Sequence, residues 1–220
     1  MSKIDWASFV SNIIAVVLGI FITFGIQGLI DRRSEKKDVA SALELVKDEL
    51  RSNVNSLQDV IGIIVEERLS AELIRANLSD LSKVDQDSLL NSNAVICTEY
   101  FFTVTDDALE LLKTSSLFQK INDRNLALGI IRAYDFLNAN SQAFNMHEKL
   151  KISLCEEANT EEVKKASLNS SGMDYLKSFY GSDKAGYLLK SVVDMSDESF
   201  LKSGLSEIEA TINAIGSRVK

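Results

Sequence analysis

Hydrophobic and polar positions divide this chain into three regimes. From Trp6 to Ile30, WASFVSNIIAVVLGIFITFGIQGLI, 25 residues pass without a charged side chain, and the basic sequence DRRSEKK follows at once. From Val39 the pattern becomes amphipathic: Leu43, Leu50, Leu57, Ile64, Ala71 and Leu78 recur every seven residues, with Val39, Val46, Val60 and Ile74 between them. After Ser79 the apolar residues fall into shorter blocks. A helix rises about 1.5 Å per residue and about 20 residues cross the hydrocarbon core, so the first regime predicts a transmembrane helix with some tilt. The second predicts one long amphipathic helix over about 34–79. The two together predict an anchor, residues 1–33 with its basic flank, running into a helical bundle domain, residues 34–220.

Two other segments imitate such an anchor. A secretory signal peptide has an apolar core of only about 7 to 15 residues and ends at a small-residue cleavage site. This run is longer and ends in Gln27-Gly28-Leu29-Ile30-Asp31. A buried core helix rarely stays uncharged for so long in a domain of this size. Elsewhere the most apolar stretches, Val60 to Val65 and Leu126 to Ile131, are short and bounded by Asp59, Glu66, Arg124 and Arg132, so a single span is expected.

The heptad pattern admits two partners for the long helix. Widened by Val54 and Ile61, its stripe suits packing on other helices of the same chain; it also suits a coiled coil between chains. Two positions in the second heptad series are polar, Asn53 and Glu67. In a coiled coil Asn53 would fix helix register at some cost in stability.

Downstream, SDLSKVDQDSLLNSN suggests a turn and a short helix. AVICTEYFFTV is strand-like by propensity, yet it lacks a partner strand and is read as a buried helix or an extended connector. Thr105 or Asp106 can cap a helix over DDALELLKTSSLFQKI, and Asn122 or Asp123 a longer one from Arg124 to Ala158. Asn159 with Glu162 has the form of a capping box for EEVKKASL. GMDYLKSFYGSDKAGYLLKSVVDM reads as one or two short helices around Gly181, and Ser196 as the start of a final helix carrying Phe200, Leu201, Leu205, Ile208, Ile212 and Ile215. The fold class expected is all-α, a bundle of four or more helices. The absence of proline from all 220 residues agrees, since proline punctuates loops and edge strands.

Charge limits the partners. The net charge is −8 and the isoelectric point about 4.8, which argues against nucleic acid, because phosphate binding needs a clustered basic face. The one dense basic cluster, Arg32, Arg33, Lys36 and Lys37, suits anionic lipid headgroups. Its excess over Lys3 on the other side of the span places the C-terminal bulk in the cytoplasm. Cys97 and Cys155 admit either one disulfide or two buried thiols of a reducing compartment.

The most specific pattern for binding lies within the apolar run. Ser11, Ala15, Gly19, Thr23 and Gln27 are spaced by four, with Asn12 beside them, and form one stripe of small and polar side chains. In lipid, small residues let helix backbones approach closely and polar ones hydrogen-bond across the contact, at roughly 0.6 to 2 kcal/mol each. The stripe is therefore read as an association face, for a second copy or another membrane protein. Small residues are common in any span, which is the plainer explanation of the same pattern.

Catalytic signals are weak. The single histidine, His147, reads as an ordinary surface or core residue. Asp106-Asp107, Glu156-Glu157 and Glu161-Glu162 lie at helix ends, where solvation and capping explain them. No H-x-x-H, C-x-x-C, calcium-loop, P-loop or G-x-S-x-G pattern occurs. The expectation is a protein without catalytic, cofactor or metal residues.

NIIAVVLGIFITFGI followed by ALELVKDELRSNVNSL is similar to the opening of a family of uncharacterised, singly anchored helical membrane proteins of bacteria, common in Bacteroidota. Val16, Val17, Gly19, Ile20 and Ile22 match its span, and Glu49, Leu50, Asn53 and Leu57 its E-L-x-x-N-x-x-x-L helix. DDALELLKTSSLFQKINDRNLALGIIRAYDFL resembles its second block. The family usually has a longer basic lead than this chain. The resemblance implies a single-pass protein of the bacterial inner membrane and adds no catalytic residue. The function expected is protein–protein interaction, as a homo-oligomer or a subunit of a membrane complex; the alternative is a sensor or effector whose helical domain binds a ligand or partner and changes the packing of the spans.

Overall fold

The computed structural model describes residues 6–169, 172–194 and 199–219, with side chains from Arg33 onward except those of residues 166, 167 and 169. Among the described residues it is all-α. Eight α-helices follow in order: α1 (Trp6–Ala76), α2 (Gln86–Ile96), α3 (Asp107–Thr114), α4 (Arg124–Ala158), α5 (Glu161–Asn169), α6 (Gly172–Tyr180), α7 (Asp183–Asp194) and α8 (Ser199–Arg218). Short 3-10 turns at Leu81–Lys83 and Phe118–Lys120 complete the regular structure.

The long helix expected over 34–79 belongs to a longer one. α1 runs unbroken for 71 residues, roughly 105 Å at ~1.5 Å per residue. It ends at Ala76, so Leu78 lies beyond it and is 40% exposed. The heptad stripe is spent inside the chain: Leu43, Val46, Leu50, Leu57, Val60, Ala71 and Ile74 are all buried. They pack on α2, α3, α4, α7 and α8, which makes α1 a bundle helix rather than one strand of an intermolecular coiled coil. Among the described residues no helix is long and apolar enough to cross a membrane. The side chains of 6–32, and with them the stripe from Ser11 to Gln27 and Arg32, lie outside the described ones.

Two apolar clusters share the spine. The first joins Leu43 to Val60 of α1 with Leu109 and Leu112 of α3, Leu126 to Phe144 of α4, and the inner face of α8 from Leu201 to Ile215. The second joins Ala71 and Ile74 with Leu89 and Ile96 of α2, Leu154 and Ala158 of α4, and the buried faces of α6 and α7. Both α1 and α4 pass through both clusters, so these two long helices tie the bundle together.

Local signals explain most helix boundaries. Asp123 caps α4 by accepting from the N–H groups of Asn125 and Leu126, at 3.0 and 3.1 Å. Asp106 occupies the cap position of α3, although its side chain makes no capping bond. That helix stops at Thr114, short of the predicted Ile121, because Ser115 and Ser116 follow and Ser116 takes a positive φ of 61°. The cap of α5 is Thr160, one residue after the predicted Asn159; its hydroxyl accepts from Val163 N–H at 3.4 Å. Gly181 separates α6 from α7. Ser196, the predicted start of α8, lies outside the described residues.

The strand-like segment resolves into two parts. Ala94, Val95 and Ile96 close α2, and after a turn at Cys97 and Thr98 a strap without regular structure runs to Asp106. Its side chains alternate as in a strand, with Phe102 buried and Phe101 and Thr103 exposed. Among the described residues no strand receives its backbone, and side chains of α1 and α4 do so.

One contact is tight enough to test the packing. A Cβ at Gly204 of α8 would lie 1.9 Å from Cζ of Phe136 on α4, whose ring packs on Phe200 with centroids 5.4 Å apart. Alanine gains up to about 1 kcal/mol in helix propensity, but overpacking costs about 1–3 kcal/mol. Gly204→Ala is therefore expected to lower stability in urea denaturation, and adding Phe136→Leu to recover most of the loss.

Candidate functional site

The two polar interruptions of the heptad stripe mark where the interior carries chemistry. Asn53, one turn before Leu57, is 2% exposed. Its amide accepts from the Thr105 N–H at 3.0 Å and donates to the Thr105 carbonyl at 2.7 Å. It thus acts as a missing strand would, and it does so within one chain. Glu49, one turn earlier, accepts hydrogen bonds from the Tyr134 phenol at 2.5 Å and from the N–H of Ala108 at 3.0 Å. Burial, and then the bond to Glu49, push the Tyr134 phenol well above its ordinary pKa.

Glu67, the second interruption, sits between the two apolar clusters at the same level as Glu148 and Lys151 of α4. All three are buried, with Glu148 and Lys151 at 0% and 1% exposure. The Lys151 ammonium bonds the Glu67 carboxylate and lies 2.6 Å from Glu148 Oε2. That same Oε2 accepts the N–H of Tyr100 in the strap at 2.9 Å, and the Tyr100 ring lies 5.1 Å from the ammonium. Two buried carboxylates thus share one cation, an arrangement that needs every partner in place. Burial pushes the Glu67 carboxyl up to about 7 against the opposing pull of Lys151.

His147, expected as an ordinary surface or core residue, is a core residue and lies beside this cluster. It is 9% exposed, and its Nδ1 has no hydrogen-bond partner. Burial pushes its pKa down, favouring the neutral ring. One potential ligand atom each from Glu67, His147 and Glu148 lie within 4.8 Å of one another. Glu67 lies 80 residues before His147 and 81 before Glu148, on a helix whose packing against α4 no local pattern announces; the one signal in the sequence was a glutamate at a core heptad position.

The strap is fastened by side chains at Tyr100, Phe102 and Thr105. Asn145 accepts from Phe102 N–H at 2.9 Å and donates to the Phe102 carbonyl at 2.8 Å, which Ser141 also reaches at 2.6 Å. Cys97, at its start, forms a disulfide with Cys155 of α4, the Cα atoms 5.9 Å apart. Asp106-Asp107, Glu156-Glu157 and Glu161-Glu162 stay apart from this site; Glu157 instead pairs with Lys184 at 2.7 Å.

A second feature lies at the end of the bundle nearest the apolar run. A cleft of about 630 Å³ is lined by Lys36, Val39, Lys120, Asp123, Leu126 and Arg218, among others. Lys120 bonds Glu35 at 3.0 Å and Arg218 bonds Asp123 at 2.6 Å. Arg33, Lys36 and Lys37 of the predicted headgroup cluster are exposed there.

Neither a protein-family model, nor a curated protein, nor a solved structure matches this chain.

Breaking a buried ion pair by removing one partner costs about 3–5 kcal/mol, whereas removing both charges is often close to neutral. Lys151→Met should therefore destabilise the fold by about that much, and Glu67→Leu added to it should return at least half. Urea denaturation followed by circular dichroism measures both; equal stability of Lys151→Met and wild type would remove the charge cluster from the account of the core.

Proposed function

We propose that this chain is an inner-membrane protein of bacteria with one N-terminal span, whose helical bundle works by contact with other proteins, as a homo-oligomer or as a subunit of a membrane complex. The observation that supports this reading is the continuity of α1. One helix carries the 25 uncharged residues from Trp6 to Ile30 and then the buried heptad stripe of the bundle. A lateral contact made along the first part is rigidly connected to the core of the second. The family of singly anchored proteins that the sequence resembles belongs to the same proposal, as does lipid contact by Arg32, Arg33, Lys36 and Lys37.

On this reading the stripe Ser11, Asn12, Ala15, Gly19, Thr23 and Gln27 is the association face. Its small residues permit close approach, and Asn12 and Gln27 are costly to leave facing lipid. The sensor or effector reading draws support from a specific feature, the charged layer at Glu67, because anything that disturbs it acts on the helix that continues toward the membrane. An effector of this type depolarises cells when overproduced, and an oligomeric subunit does not.

Two observations pull the orientation in opposite directions. The basic excess after the apolar run favours a cytoplasmic bundle. The Cys97–Cys155 disulfide favours an oxidising compartment, since such bonds are rare in the cytosol. We place the bundle in the cytoplasm on the charge bias; a reporter fused after Lys220, active on one side of the membrane only, decides between the two.

Gly19→Ile should weaken self-association in a membrane two-hybrid or cross-linking assay, by about tenfold if it removes contacts worth near 1.4 kcal/mol. Unchanged association would detach the stripe from the proposed function.

A further inference from the structure

We infer that Glu67, His147 and Glu148 form a binding site for a divalent first-row transition-metal ion, joining α1 to α4. Two buried polar atoms at this place are unsatisfied in the described structure. Glu148 is fully buried, yet Lys151 and the Tyr100 N–H both use its Oε2; its Oε1 has no partner. His147 Nδ1, also buried, has none either. An unprotonated Nδ1 is a second buried lone-pair atom without a donor, and one ligand atom of His147 lies within 4.8 Å of one from each glutamate. Lone-pair atoms without a donor in a dry interior are costly, and a cation held by His147 and Glu148 would satisfy them together.

The geometry suits an ion after a small adjustment. Ligand atoms about 2.1 Å from a metal stand roughly 3 to 4 Å apart, and the three here lie within 4.8 Å of one another. Rotation of the glutamate side chains closes the difference. One imidazole with two carboxylates is a donor set for zinc, manganese, iron or cobalt rather than for calcium or magnesium, which prefer all-oxygen surroundings. Lys151 does not fill this place. It bonds Oε1 of Glu67 and Oε2 of Glu148, so it offsets carboxylate charge while Oε1 of Glu148 and Nδ1 of His147 stay without partners.

The test uses the full-length chain in detergent, purified with a tag that contains no histidine and stripped with EDTA. Cobalt(II) and zinc(II) are the probes. The expected result is binding of one ion per chain, visible d–d absorption with cobalt, and a rise in melting temperature with zinc. His147→Gln and Glu67→Gln should each weaken binding by about tenfold or more, while Glu110→Gln, an exposed carboxylate on α3, should leave it unchanged. Because either core variant can fail to fold, X-ray absorption on the zinc-loaded wild-type chain supplies a second measurement. The chain contains one histidine, so an imidazole nitrogen in the metal's coordination shell can come from His147 alone. No stoichiometric binding, an all-oxygen shell, a sulfur-dominated shell from Cys97 and Cys155, or undiminished binding by a folded His147→Gln would each overturn the site.

Discussion

An ammonium group buried between two carboxylates sits at the middle of this bundle, and the arrangement of everything around it follows from the need to keep all three charges partnered. Lys151 has no route to water, so Glu67 must reach it from α1 and Glu148 from the preceding turn of α4. That fixes the rotation and the relative height of the two longest helices. A shift of either by one residue would strand a charge in a medium where its solvation cannot be replaced, at a cost of several kcal/mol. The apolar clusters on each side could tolerate such a slip far better, because leucines and valines are satisfied by any well-filled neighbourhood. The charged layer therefore sets register, and the apolar clusters supply most of the burial.

The strap between Cys97 and Asp106 is the second consequence. It crosses between α1 and α4 without regular structure, so its amides and carbonyls need side-chain partners. Asn53, Asn145, Ser141 and Glu148 provide them, and Glu49 continues the series into the first turn of α3. Glu148 belongs to both systems, taking Lys151 and the Tyr100 amide on the same oxygen. The strap, the charged layer and the disulfide to Cys155 thus form one connected unit around the middle turns of α4. The orphaned Nδ1 of His147 and Oε1 of Glu148 lie within that unit, where an ion would complete the pattern of satisfied polar groups.

The continuity of α1 gives this unit reach. A helix transmits rotation and translation along its axis, and here one helix holds Glu67 at one end and the uncharged segment at the other. Reorganisation at the charged layer and contact along the small-residue stripe would act on the same rigid body. The interaction and sensor readings of the protein differ in what starts such a change, while sharing the helix that carries it.

The sequence by itself determined the class of the fold and the identity of its spine. Periodicity of seven with no proline to interrupt it has one inexpensive solution, a long helix burying one stripe, and the capping candidate Asp123 marks the start of α4. These are local properties, decided within a few turns. Even the site left a trace, since Asn53 and Glu67 stand where the stripe demands apolar residues. What a polar residue in a core position will meet, however, is not local. Glu67 finds its partner 84 residues away and Asn53 its partner 52 away. Only the packing of α4 against α1 decided that the lone histidine has two glutamates beside it, that the strand-like segment is fastened by side chains, and that the heptad stripe closes on its own chain. Burial made those pairings compulsory, because polar groups removed from water accept few partners, and tertiary structure supplied the ones within reach.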